Sequence, residues 1–222
     1  MFKWRIVSAL IILNFALFKV YGEFDYLQLV LTWPASFCYQ PKDICKRTVN
    51  NFTIHGLWPE KKGFRLEFCS GGTKYKIFED NMVKDLERHW LQMKFDENYA
   101  KKHQPLWSYQ YRKHGMCCYK LYNQNAYFLL AMRLKDKLDL LTTLRTHGIT
   151  PGTKHTFSEI QKAIKTVTNN KDPDLKCVEH IKGVKELNEI GICFNPAADS
   201  FHDCRHSYTC DETDSTKTLF RL

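Results

Sequence analysis

Nine cysteines in a chain of 222 residues set the first limit on what this chain can fold into. They are Cys38, Cys45, Cys69, Cys117, Cys118, Cys177, Cys193, Cys204 and Cys210. Nine is odd, so at most four bridges can close and one thiol is left over. Whether they bridge depends on the compartment, and the N-terminus speaks to that. Lys3 and Arg5 precede a mostly apolar stretch, Ile6 to Val20, interrupted by Ser8, Asn14 and Lys19, and Tyr21-Gly22 offers a small residue for cleavage. Residues 1–22 read as a secretory signal peptide, with an uninterrupted apolar run too short to span a bilayer. No later stretch is long and apolar enough to span one, so no membrane anchor is expected. The remaining 23–222, beginning near Glu23 or Phe24, is about the length of one domain with its own core. Secretion favours disulfides over zinc, and no cysteine pair has CxxC spacing, so neither a metal site nor a cofactor is expected.

The formal net charge is +9. Loss of Lys3, Arg5 and Lys19 with the signal would leave about +6, enough to draw the protein to polyanions but also compatible with a well-charged surface. The only Asn-x-Ser/Thr sequon, Asn51-Phe52-Thr53, is a candidate glycan site, four residues before His55 and so expected near the mouth of any site built there.

The order of elements points to an α+β fold. Phe24 to Trp33 reads as a buried strand, and Phe52 to Leu57 as a second, ended by Trp58-Pro59. Helical spacing of apolar residues runs from Ile77 to Trp90 and, as one long pattern, from Asn123 to Leu144. Ser158 to Val167 reads as a short helix. Cys177 to His180 and Leu187 to Phe194 read as strands, the second with Leu187, Ile190, Ile192 and Phe194 as its apolar residues. After Phe194 the chain reads as cysteine-held loops.

Two segments carry the chemistry: Thr53-Ile-His55-Gly-Leu-Trp58-Pro59 and Trp107-Ser-Tyr109-Gln110-Tyr-Arg-Lys113-His114-Gly115. RNA carries its own nucleophile, the 2′-hydroxyl. Its cleavage needs a base for that proton and an acid for the leaving 5′-oxygen, and two histidines can divide those tasks near neutral pH. A lysine suits the negative charge that gathers on the phosphorus oxygens. The other histidines (His89, His103, His147, His155, His180, His202 and His206) lack such surroundings and read as structural or surface residues.

Both segments resemble the active-site motifs of the T2 ribonuclease family. The first matches its Thr/Ser-x-His-Gly-Leu-Trp-Pro pattern. The second matches Trp-x-x-Glu-aromatic-x-Lys-His-Gly-x-Cys at Trp107, Tyr111, Lys113, His114, Gly115 and Cys117. The resemblance covers essentially the whole mature chain and implies the T2 fold, an antiparallel central sheet with packed helices and about four disulfides. It implies metal-independent cleavage through a 2′,3′-cyclic phosphate, with His55 as proton donor, His114 as proton acceptor and Lys113 stabilising the transition state. The RNA-binding set it implies is Gln28, His55, Trp58, Trp107, Tyr109, Gln110, Lys113 and His114; core packing for Trp58 and a backbone-satisfied buried amide for Gln28 are the alternatives. The chain departs from the pattern at Gln110, where the family has Glu, and at Tyr109, where many members have His. Both proton-transfer groups remain, so activity is expected to survive.

The opening FDYLQLVLTWP, the Cys117-Cys118 doublet and the tail around Gly191-Ile-Cys-Phe-Asn-Pro, Asp203-Cys-Arg-His and Tyr208-Thr-Cys210 most resemble the nightshade-type self-incompatibility ribonucleases of pistils. That resemblance implies a monomer secreted in the style and taken up by pollen tubes, with pollen F-box proteins as partners. It implies the pairs Cys38–Cys45, Cys69–Cys117, Cys177–Cys210 and Cys193–Cys204, with Cys118 free, or bridged in place of its neighbour Cys117. Allelic recognition would fall near Phe64 to Lys76 and Leu91 to His103, both otherwise readable as solvated surface. A defence or phosphate-scavenging T2 ribonuclease, or a catalytically weak recognition protein, are the other readings.

Overall fold

A computed structural model describes residues 24–39, 45–62, 64 and 66–222; the signal-peptide reading lies outside the described residues. The elements run β1 (Tyr26–Thr32), α1 (Pro34–Cys38), β2 (Thr53–Glu60), α2 (Asp80–His89), α3 (Glu97–His103), α4 (Pro105–Lys113), a 3-10 turn (Gly115–Cys118), α5 (Gln124–Asp136), α6 (Leu140–Thr146), β3 (Lys154–His155), α7 (Phe157–Lys165), β4 (Asp174–Ile181), β5 (Val184–Phe194), β6 (Phe201–His202) and β7 (Thr218–Leu219). The α+β class expected from the element order is what the chain adopts, with most helices in the middle and the long strands at either end.

The sheet is built around β5, which pairs antiparallel with β1, β4 and β6; β1 in turn pairs antiparallel with β2. A single β5–β7 register pair is parallel. Every residue of β1 is buried, the polar Gln28 and Thr32 included, as in a strand covered on both faces. β2 lies at an edge and continues through Trp58 and Pro59 to Glu60, past the end read from sequence. An edge strand tolerates a proline because one side of its ladder needs no donor.

One face of the sheet carries the core. Tyr127, Phe128, Leu130, Ala131 and Leu134 of α5 join Trp90, Trp107, Tyr111 and the inward residues of β1, β2 and β5. The Tyr127 hydroxyl donates to the Leu57 carbonyl at 2.8 Å, tying α5 to β2. The long helical pattern is two helices: α5 ends at Asp136, and Asp139 caps α6 by accepting from the Thr142 N–H. α7 begins with a capping box between Thr156 and Glu159. Among the described residues no helix is long and apolar enough to cross a membrane.

Four disulfides close: Cys38–Cys45, Cys69–Cys117, Cys177–Cys210 and Cys193–Cys204. Cys118 keeps a buried free thiol, pushed up to about 12 by burial, that donates to the Gly115 carbonyl at 3.2 Å. Asn51 is exposed just before β2. Its neighbour Asn50 lines a separate concavity with Trp33, Arg145 and Leu222, and Asn51 is not among the residues lining the cleft described next, near whose mouth the sequence places it.

Candidate active site

His55 is the extra residue of a β-bulge. Across the β1–β2 ladder Val30 faces Gly56 and Leu31 faces Ile54, leaving His55 without an opposite residue. Three residues apart on a regular strand, His55 and Trp58 would point to opposite faces. The bulge re-aims the chain, and both side chains line one cleft. The bulge is pinned from behind: the Trp90 indole N–H donates to the His55 carbonyl at 3.0 Å, and the Thr53 hydroxyl donates to the His89 carbonyl at 3.2 Å.

The opposite wall is α4. Trp107 and Tyr111 are fully buried on its inner side, which turns Tyr109, Gln110 and Lys113 toward the cleft. His114 follows as the C-cap residue, its N–H donating to the Gln110 carbonyl at 2.9 Å. Trp58 bridges the two walls. Its ring stacks on His114 (centroids 5.0 Å, planes 22° apart) and meets His55 edge-on (5.2 Å, 78°). Its Nε1–H donates to Gln110 Oε1 at 3.2 Å, and Lys176 Nζ lies 4.4 Å over its ring. Gly56 makes this closeness possible: a Cβ there would overlap Trp58 Nε1 and Gln110 Oε1.

Charged groups surround this core of the site. His55 Nδ1 is hydrogen-bonded to Glu189 Oε1. Glu189 also accepts from the Thr32 hydroxyl at 3.2 Å and faces Lys176 at 3.5 Å. Burial pushes its carboxyl up, but His55, Lys176 and Thr32 together outweigh burial and hold it down at about 2. Lys113 Nζ lies 3.3 Å from Glu67 and 5.7 Å from the Tyr109 ring centroid. The Gln28 amide donates to Asp174 Oδ2 at 3.1 Å, above Gly191, where a Cβ would overlap Gln28 Nε2.

The cleft is about 870 Å³ and is lined by all of the expected RNA-facing residues but one. Trp107 is the exception. It is fully buried, its Nε1–H donates to the Trp90 carbonyl at 2.8 Å, and it lines neither the cleft nor its side pocket. An aromatic face with no exposed area cannot stack on a base, so Trp107 is a core residue that orients α4. Gln28 is satisfied by the Asp174 side chain, not by backbone. A side pocket of about 330 Å³ shares His55, Tyr109 and Gln110 with the cleft and adds Thr32, Gln92 and Leu106. His206, which reads from sequence as a structural or surface residue, lines the cleft beside Arg205 and Tyr208. Glu189, Asp174, Lys176 and Glu67 were not singled out from sequence. For Glu189 a signal existed, since a charge inside a buried strand is rarely kept without a partner. Among the described residues no three or more His, Cys, Asp and Glu are grouped to hold a metal ion.

Two imidazoles on either side of one indole, with an ammonium on the next residue, form the kind of cleft that acid–base ribonucleases use. The comparisons agree in class: the Ribonuclease T2 family model matches residues 24–204, and the chain belongs to that family and is an RNA-cleaving enzyme. Within it, the chain is 73% identical over 223 residues to Ribonuclease S-3 of Petunia hybrida, covering 100% of both chains. The crystal structure of the gametophytic self-incompatibility associated SF11-RNase of Nicotiana alata superposes with a TM-score of 0.85 at 56% identity, over 90% of this chain and 100% of that one. A variant of RNase MC1 from bitter gourd seeds, in complex with 5′-GMP, superposes at 0.78 with 30% identity, over 89% and 100%.

Proposed function

We propose that this ribonuclease is the pistil determinant of gametophytic self-incompatibility, cleaving RNA by transphosphorylation through a 2′,3′-cyclic phosphate. His114 takes the 2′-hydroxyl proton as the 2′-oxygen attacks phosphorus. His55 gives a proton to the 5′-oxygen as its bond to phosphorus breaks. Lys113 offsets the charge on the pentacoordinate phosphate, and Gln110 acts by holding Trp58 against His114. No step calls for a metal. The observation that carries this reading is the Trp58 bridge, which sets both histidines on one cleft with Lys113 at its rim.

The chemistry is tested by cleavage of a polyribonucleotide in EDTA. The wild type should cleave, and His55→Ala and His114→Ala should each lose roughly 10²–10⁴-fold in kcat. An inactive wild type would overturn the enzymatic mechanism. The biological role rests on likeness to ribonucleases S-3 of Petunia hybrida and SF11 of Nicotiana alata. It implies a secreted monomer of 23–222, cleaved after Gly22 and carrying a glycan at Asn51. The protein would act on the RNA of self pollen tubes after uptake, with pollen F-box proteins as partners. Style expression of this chain in a plant lacking it should confer rejection of pollen of the matching haplotype, and His114→Ala should abolish it. Rejection that persists with the inactive variant would remove RNA cleavage from the role.

A further inference from the structure

Glu189 occupies the middle of β5, with Thr32 of β1 opposite it on one side and Lys176 of β4 on the other. It is only 7% exposed, in a strand closed to water from Leu187 to Phe194. An ionised carboxyl is held in such a place only by partners, and each of its oxygens has one. Oε2 faces the Lys176 ammonium, while Oε1 receives the Thr32 hydroxyl and His55 Nδ1. Gly191, two residues along the same strand, keeps Gln28 close to Asp174, so β5 holds several cleft side chains in place at once. The His55 ring thus has one nitrogen committed to a buried anion, and its side chain is still 32% exposed in the cleft.

We infer that Glu189 is a positioning residue for the general acid: it fixes Nδ1 of His55 as the bonded nitrogen and leaves Nε2 as the atom that hands its proton to the leaving oxygen. A buried carboxylate bonded to Nδ1 settles which imidazole nitrogen exchanges protons and in which direction the ring points. Glu189 also keeps a fixed negative charge beside a ring that is cationic before transfer and neutral after it. Glu189 stays a carboxylate throughout; the proton moves from His55 Nε2 to the 5′-oxygen as the phosphorus–oxygen bond breaks, while His114 holds the proton taken from the 2′-hydroxyl. Thr32 fixes the carboxylate, and Lys176 offsets its charge on the side away from His55. This rests on the reading of His55 as the acid.

The test compares two substrates, uridylyl-(3′→5′)-adenosine and uridine 3′-(4-nitrophenyl phosphate). The first leaves as an alkoxide that needs a proton, and the second as a phenolate that does not. Glu189→Gln keeps an oxygen near Nδ1 but removes the charge. It should lower kcat on the dinucleotide at least about tenfold, the lower end of what is lost when a carboxylate that orients a histidine is removed, with KM within about threefold. On the aryl ester its deficit should shrink to less than about threefold, and it should add nothing to His55→Ala. Equal losses on both substrates, or a loss that adds to that of His55→Ala, would reduce Glu189 to a structural role. Thr32→Val gives the same readout with less disturbance to folding: a smaller loss confined to the dinucleotide is expected, and no such selectivity would count against the inference. If His55→Ala itself cleaves the dinucleotide normally, the assignment of His55 as the acid fails, a result distinct from failure of Glu189→Gln alone.

Discussion

Trp58 contacts both proposed proton-transfer groups, and its orientation is set by residues outside the proposed proton transfers. Gly56 leaves room for the indole, Gln110 accepts its N–H, and Lys176 covers its outer face. Replacing the family's glutamate by Gln110 therefore keeps the acceptor that Trp58 needs. Glu189 is the ionic counterpart of that arrangement, and it carries a pH signature. Its ordinary value is 4.5, and its partners hold it down at about 2 in the fold. A depressed carboxyl adds stability that is fully present above the unfolded value and is lost as pH falls through the folded one. The shift corresponds to about 3 kcal/mol for this buried group. Melting curves of the wild type and Glu189→Gln should therefore lie well apart near pH 5, and the interval should narrow as pH falls from 4.5 to 2. A gap that widens with acid would mean that Glu189 is not held ionised. His55, Lys113 and His114 were legible because their neighbours form specific motifs. Glu189 was not, because reading Leu187, Ile190, Ile192 and Phe194 as the buried set leaves Glu189 to solvent, whereas both faces of β5 are covered.

Among the elements, α4 and the loop before α2 act together. The loop's Phe68 N–H donates to the Lys113 carbonyl at 2.8 Å, Glu67 pairs with the Lys113 ammonium, and Cys69–Cys117 fastens the loop to the turn after His114. One of the two stretches proposed for allelic recognition, 64–76, thus touches the proposed phosphate cation. The other is divided: Leu91, Gln92 and Met93 are buried against the side pocket, and most of 94–103 lies on the surface. The Glu67–Lys113 pair is partly open to water, and such pairs are worth about 0.2–1 kcal/mol. A phosphate arriving at Lys113 competes with that pairing. Glu67→Gln should lower KM for a polyribonucleotide by up to about fivefold at low salt, leave kcat within twofold, and lose its effect as salt screens the pair. Steady-state kinetics at two ionic strengths would show it; a fall in kcat instead would make Glu67 a support for the lysine. α3 was not legible because Glu97–His103 buries only Ala100 and has no apolar stripe. The bulge at His55 was not legible because it depends on which β1 residue faces which β2 residue, a fact of pairing and not of local sequence.

At the scale of the molecule, β5 carries two buried glutamates with different tasks. Glu189 holds the cleft residues His55 and Lys176 from within the sheet, while Glu186, near the other end, closes the structure against the last residues of the chain. Grouped helices flanked by strands were enough to read the α+β class, but nothing local shows that Arg221 returns to β5. Glu186 is fully buried and accepts from Arg221 Nε at 2.6 Å and Nη2 at 2.5 Å. The same guanidinium lies 3.6 Å over the Tyr39 ring, and the Arg221 carbonyl accepts from Trp33 Nε1 at 2.7 Å. One residue thereby joins α1, β5 and the strand-flanking Trp33. Removing one member of a buried pair strands the other charge, at a cost of about 3–5 kcal/mol. Among the described residues, His180 Nε2 stands 4.0 Å from Glu186 and is placed to take part of the lost role. Arg221→Ala should lower Tm by about 6–20 °C for a domain of this size. Adding Glu186→Gln should recover part of that loss, because the stranded group is then neutral. Neither Arg221 nor Glu186 lines the cleft, so kcat measured well below the lowered Tm should stay within twofold of wild type. A melting temperature unchanged by Arg221→Ala would show that the Arg221–Glu186 pair does not stabilise the fold, and the double variant should then melt no higher than the single one.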